Sequence, residues 1–155
     1  MKKIMFVCYG NICRSPTAEF VFKDIVKRHG MQNEFYIASS ATSTDELGNG
    51  VYRPSKEEMQ RHGIDCSGKY SVQLKRSDYE SYDLFIGMDS ANIRSMRIIL
   101  GQDNDGKIKR LMDYTDKGTD VSDPWYTRRF DIAYNDILQG CQGLFYALTG
   151  IKDGE

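Results

Sequence analysis

The chain has 155 residues, 40% of them hydrophobic and 28% charged, with 21 Lys and Arg set against 22 Asp and Glu. That length supports one ordinary domain, spanning 1–155, able to bury roughly 70% of its unfolded surface. The balanced charge excludes the basic surplus of a general nucleic-acid binder, and no apolar run approaches the ~20 residues of a membrane span. The stretch Ile4–Val7 behind Lys2-Lys3 is too short for a secretory signal and lacks its cleavage site. A cytoplasmic protein is therefore expected. Its four cysteines, Cys8, Cys13, Cys66 and Cys141, form no CxxC pair and have no His-rich partner region. That pattern predicts free thiols and no metal site.

Residues 3–8 are apolar on both faces, as in a buried parallel strand. From Pro16 the period changes, and Ala18, Val21, Phe22 and Ile25 share one helical face. Ser15 is expected to cap this helix, Pro16 suits its first turn, Glu19 complements its dipole, and His29-Gly30 closes it. Phe35–Ala38 reads as a second strand ending in Ser39-Ser40. Residues 41–53 are a polar surface loop around Gly48-Asn49-Gly50, with Leu47 and Tyr52 as candidate pocket walls. Ser55-Lys56-Glu57-Glu58 has capping-box spacing for a second helix, which His62-Gly63 ends.

Residues 65–81 are expected to be irregular with a short helical turn. Asp83–Gly87 is a third strand, and Asp89 is placed to cap a helix aligning Ile93, Met96 and Leu100. Ile108–Met112 is a weak fourth strand. A long polar loop, Asp113–Thr127, leads to the last helix, whose stripe runs from Phe130 to Leu148 before Gly150 stops it. Strands alternating with helices predict an α/β fold of three layers, a four-stranded parallel sheet flanked by helices on both faces. In such sheets the site lies beyond the C-terminal strand ends. Cys8, Ser39-Ser40, Met88-Asp89 and the 113–127 loop all fall there.

The chemistry concentrates in Cys8 to Ser15, Cys-Tyr-Gly-Asn-Ile-Cys-Arg-Ser, a loop following the first strand and opening a helix. Its length lets successive N–H groups turn inward as an anion nest, with Gly10 and Asn11 expected at positive φ. The helix adds its positive end, and Arg14 a planar fork for two phosphate oxygens. This field favours the Cys8 thiolate below a free thiol pKa of roughly 8.5, and Ser15 can donate to the sulfur. Such a thiolate would attack phosphorus to form a cysteinyl-phosphate. The leaving oxygen needs a proton, for which Asp113, Asp116, Asp120 and Asp123 compete. Asp123 is favoured by Pro124 and by Trp125 and Tyr126, which could wall a slot for an aromatic ring. Cys141 belongs to the apolar stripe of the last helix, while His29 and His62 suit helix C-termini.

The string Val-Cys-x-Gly-Asn-Ile-Cys-Arg-Ser-Pro with a late Asp-Pro resembles the low-molecular-weight protein tyrosine phosphatases, over essentially the whole chain. The resemblance implies Cys8 as nucleophile, Arg14 on phosphate, Asp123 as general acid, and Asn11 and Ser15 holding a phosphate loop that includes Tyr9, Gly10, Ile12 and Cys13. It also implies no cofactor, tyrosine-phosphorylated proteins as substrates, a cognate tyrosine kinase, a monomer, and a Cys8–Cys13 disulfide on oxidation. Three positions depart from the family. Gly68-Lys69-Tyr70 lacks a histidine common there, Ser40-Ala41-Thr42 lacks a glycine, and Tyr9 is bulkier than the usual aliphatic residue. These changes bear on pH profile and substrate preference. A thiol-dependent arsenate reductase and an inactive phosphotyrosine-binding module are the competing readings.

Overall fold

The computed structural model describes residues 1–154. Its strands are β1 (Lys2–Cys8), β2 (Phe35–Ala41), β3 (Leu84–Gly87) and β4 (Ile108–Arg110). The helices are α1 (Arg14–Arg28), α2 (Arg53–Arg61), α3 (Asp78–Ser81), α4 (Ser90–Leu100), α5 (Pro124–Thr127) and α6 (Phe130–Thr149), with 3₁₀ turns at Gln32–Glu34 and Leu111–Tyr114. All strand pairs are parallel, in the order β2-β1-β3-β4. The chain leaves β1 to one side for β2 and returns to its other side for β3. The crevice where an open α/β sheet binds its ligand therefore opens at the end of β1.

Alternation along β1 feeds two cores. Ile4, Phe6 and Cys8 face α1 and α6, while Met5 and Val7 join Met96 and Leu100 of α4. Both faces of the sheet are thus apolar, as the continuous hydrophobic run of β1 requires. On the first side Phe22 is the hub, its ring 5.8 Å from Phe6, 5.6 Å from Phe35 and 6.3 Å from Phe145. Burying such side chains contributes about 1.5–3 kcal/mol each. Small residues bring α6 close to its neighbour. A Cβ at Gly143 would overlap the Tyr114 carbonyl oxygen, and one at Gly140 would strike Leu111. The 3₁₀ turn that roots the 115–123 loop can therefore lie directly on α6.

Several expected boundaries shift for identifiable reasons. Ser15 does not cap α1: the helix begins at Arg14 with Cys13 as its cap, so Ser15 lies inside the first turn. Glu19 is buried beyond that turn and does not complement the dipole. The capping box at Ser55 does not form either. Tyr52 is the cap of α2, Pro54 occupies the first turn, and Glu58 bonds forward to Arg61 and His62. The second strand runs on to Ala41 because Ser39 and Ser40 pair with Phe6 and Val7. The third begins at Leu84, and the fourth stops at Arg110, where the chain tightens into a 3₁₀ turn. Gly150 ends α6 in the left-handed region, as expected. Among the described residues, no helix is long and apolar enough to cross a membrane.

Candidate active site

Cys8 ends β1 with 4% of its surface exposed. The chain then turns back over it. Asn11 takes φ +58° and directs its own N–H at the Cys8 Sγ, 3.3 Å away. Gly10 was expected to share that conformation but does not, and a Cβ there would meet only ordinary contacts. Asn11 alone makes the bend, because its side chain repays the left-handed backbone locally. Its amide Nδ2 donates to Ser15 Oγ (2.8 Å) and Ser39 Oγ (3.0 Å), and its Oδ1 accepts from Val72 N (3.1 Å). Ser15 Oγ stands 3.0 Å from the sulfur.

The direction of these bonds is set from their far end. Ser39 Oγ donates to Glu19 Oε1 at 2.6 Å, so its lone pairs take the Asn11 amide. Ser15 accepts from the same amide and keeps its proton for Cys8. A buried carboxylate thus orients a chain of donors toward the sulfur, and donors aimed at it favour its negative charge. Glu19 is paired in turn by Lys23 at 2.5 Å and by Lys69 at 3.6 Å, while Lys69 Nζ also donates to Ser39 O at 2.8 Å. Burial depresses the Lys69 ammonium below its usual range, with Glu19 opposing the shift. A lysine thus anchors this network.

Arg14 lies on the other side of the loop, its side chain 5% exposed. It donates to Val121 O at 3.1 Å and to Asp89 Oδ2 at 2.8 Å, and Asp123 Oδ2 stands 3.5 Å away. Burial works against its charge, yet Cys8, Asp123 and Asp89 together hold the guanidinium above its ordinary value. Asp89 therefore does two jobs. It caps α4 in a reciprocal box with Asn92, and it grips Arg14. The sequence showed only the first.

Asp123 caps α5 by accepting from Trp125 N through Oδ1, which leaves Oδ2 on the pocket side. Its rivals do not reach the pocket. Asp113 and Asp120 are both bound by Arg110, and Asp116 is exposed on the loop. Cys8, Cys13 and Arg14 floor a cavity of about 460 Å³, a size suited to a small ligand. Asp45 and Glu46, which follow β2, and Ala91 and Ser95, which follow β3, line it from opposite sides of β1, with Tyr9, Ile12 and Asp123 completing the lining. Trp125 and Tyr126 line it as expected, but at 48% and 82% exposure they form a rim, not a deep wall. Tyr9, also at the rim, donates from its hydroxyl to Asp45 Oδ2 at 2.6 Å and ties the 42–52 loop across the mouth.

Leu47 lies outside the lining, and the loop presents Asp45 and Glu46 instead. Tyr52 stands behind Trp125, ring centroids 5.2 Å apart. Cys13 lines the pocket beside Cys8, but burial pushes its thiol up to about 12, which keeps it neutral. All four cysteines are free. Ser39 was placed at the site end of the sheet and Lys69 marked as a departure, but nothing in the sequence signalled that both meet Glu19. One signal was available for Glu19, a lone carboxylate beside Ala18 on the apolar side of α1.

A thiol so placed has no imidazole base beside it, since His29 bonds to Asp153 and His62 to Glu58. Its surroundings supply fixed positive potential, which suits attack on a tetrahedral oxyanion more than on a neutral acyl group. The fold and this loop mark a cysteine-dependent phosphatase. The chain belongs to the low molecular weight phosphotyrosine protein phosphatase family, whose model matches residues 3–153. It is 35% identical over 154 residues to the low molecular weight protein-tyrosine-phosphatase YfkJ of Bacillus subtilis, covering 98% of this chain and 99% of that protein. A Gallus gallus low molecular weight phosphotyrosine protein phosphatase is 34% identical over 147 residues, 92% of each. The crystal structure of YfkJ superposes with a TM-score of 0.92 over 97% of this chain and 96% of its own. A Streptococcus pyogenes low molecular weight protein tyrosine phosphatase superposes at 0.85 with 37% identity, over 96% and 94%. Members of this family are hydrolases that work through a cysteine nucleophile.

Proposed function

We propose that this protein removes phosphate from phosphotyrosine in proteins, with Cys8 as nucleophile, Arg14 as phosphate ligand and Asp123 as general acid and base. One observation carries the assignment: Cys8 Sγ receives Asn11 N–H and Ser15 Oγ at 3.3 and 3.0 Å, while Arg14 and Asp123 Oδ2 flank the same pocket. The phosphate dianion sits over the sulfur, held by loop N–H groups, the start of α1 and the Arg14 fork. The S–P bond forms as the P–O bond to the phenol breaks, and Asp123 gives its proton to the departing phenolate oxygen. Asp123 then takes a proton from water as that water attacks phosphorus. The S–P bond breaks, inorganic phosphate is released, and the sulfur leaves as a thiolate held by Ser15 and Asn11.

The aromatic rim of Tyr9, Trp125 and Tyr126 favours a phenyl ring, and reach alone disfavours the shorter phosphoserine. One catalytic domain over 1–155 is proposed, acting as a monomer in the cytoplasm on proteins phosphorylated by a tyrosine kinase. Arsenate reduction would need a relay of thiols, and Cys66 and Cys141 are buried in the core away from the pocket. A merely binding module needs no proton carrier beside the bound phosphate, the role proposed for the free oxygen of Asp123. The test is hydrolysis of an aryl phosphate and of a phosphotyrosine peptide by wild type and Cys8→Ser. Turnover of both by the wild type and its abolition in the variant are expected. Full activity in Cys8→Ser would refute the mechanism.

A further inference from the structure

Helix α4 stands between the catalytic pocket and a second groove. Its Ala91 and Ser95 line the pocket, while Arg94 and Arg97 line the groove together with Lys109 and Arg110 of β4. Among the described residues Asp113 is the one carboxylate in the groove lining, and Arg110 engages both it and the adjoining Asp120. Arg94 and Arg97 are exposed and make no ion pair among the described residues. A chain with a net charge of -1 thus gathers unneutralised cations on one flank of its active site. The opposite wall of the pocket has the reverse sign, with Asp45 and Glu46.

We propose that this groove binds the acidic flank of the phosphotyrosine protein substrate, an inference that rests on the activity proposed above. The occupant follows from charge and distance. A helix with its side chains is about 10–12 Å across, and an extended chain advances about 3.3–3.6 Å per residue. A substrate whose phosphotyrosine enters the pocket therefore brings residues roughly three to five positions away over Arg94 and Arg97. Acidic residues suit only that flank, because Asp45 and Glu46 repel them on the other. The mouth of the site selects a substrate of uneven charge, acidic on one side of the phosphotyrosine and neutral or basic on the other.

The experiment compares wild type with the double variant Arg94→Gln/Arg97→Gln on three phosphotyrosine peptides and one small aryl phosphate. One peptide has neutral flanks, one carries glutamates at roughly +3 to +5, and one carries them at roughly −3 to −5. The wild type should favour one acidic peptide over the neutral one by about five-fold in kcat/KM, chiefly through KM, as solvent-exposed ion pairs allow. That preference should vanish in the double variant and in high salt, while the aryl phosphate is cleaved equally by both proteins, which also controls for folding. Equal rates on all three peptides, or a preference that survives the double substitution, would overturn the proposal. So would a small inorganic anion as the occupant, seen if sulfate alters aryl phosphate hydrolysis differently in the two proteins and neither glutamate flank helps. If the wild type cleaves the aryl phosphate but no phosphotyrosine peptide, the proposed function fails first, and visibly.

Discussion

Arg14 and Arg110 each hold a pair of aspartates, and both pairs reach the 113–123 loop, yet the two clusters serve opposite ends. Asp120 Oδ1 accepts from Ser90 N, Ser90 Oγ and Arg110 at 3.0–3.1 Å, while Arg110 also binds Asp113 and the Gly118 carbonyl. All three bonds go to that one oxygen, which fastens the loop to the start of α4, and Asp120 does not line the cavity. Asp123 spends one oxygen on its own helix cap and presents the other at 3.5 Å from Arg14. A proton carrier needs a free oxygen inside the pocket, where Asp123 lies and Asp120 does not. A clamp needs only fixed donors. Chemistry thus separates two aspartates that lie three positions apart on one loop.

The sharpest way to break this contrast is to truncate each. Asp123→Ala should slow aryl phosphate turnover by about 10²–10⁴-fold, the usual cost of losing general acid catalysis, whereas Asp120→Ala should cost less than about five-fold through a loosened loop. Steady-state kcat for both variants decides it, and the opposite ranking would reassign the acid. Next in size is Asp89→Asn. Asparagine still caps α4 but removes the charge at 2.8 Å from Arg14. A loss of about ten-fold in kcat/KM with an unchanged thermal midpoint is expected for one charge-assisted hydrogen bond. A smaller effect belongs to Arg110→Ala. Its partners are largely exposed, so about 1 kcal/mol of stability and a few-fold of activity should go, read by denaturant titration alongside turnover.

A third arginine supplies the control in which catalysis is absent. Arg28 binds Asp24 at 2.9 Å and Asp153 at 2.7 Å, tying the end of α1 to the chain beyond α6. Hydrogen bonds from Arg28, His29 and Gln142 outweigh burial and hold the Asp153 carboxyl down at about 2, against an ordinary 3.8. A lowered carboxyl stabilises the folded state fully above its unfolded value and loses that contribution as pH falls through its folded one. The wild type should therefore lose about 2 kcal/mol between pH 4 and pH 2 through this group. Asp153→Asn should flatten that part of the stability curve and leave kcat at neutral pH unchanged. A steep acid limb retained in the variant would assign the loss to other carboxylates.

The same division runs through what was legible beforehand. The four parallel strands, the site at the end of β1, and Cys8, Arg14 and Asp123 as residues of one pocket could be read from periodicity and two short motifs. Ser15 was right for the sulfur and wrong as a cap, since α1 begins one residue earlier, at Arg14, and leaves Ser15 inside its first turn. Leu47 was wrong because alternation says nothing about which way an irregular loop turns. Asp45 and Glu46 face the pocket through the tether from Tyr9.

By itself the sequence determined the chemistry of the loop. Eight consecutive residues bring nucleophile, bend, guanidinium and hydroxyl together through local geometry, and Asp123-Pro124 announces a turn with a carboxyl at its head. Only the tertiary structure decided how that chemistry is held and directed. Glu19, Ser39 and Lys69 meet because α1, β2 and the 65–77 segment pack against one another. Asp89 reaches Arg14 because β3 lies beside β1. Such contacts span up to 107 positions of chain, as between Arg14 and Val121, where pattern carries no information and packing alone sets the distance.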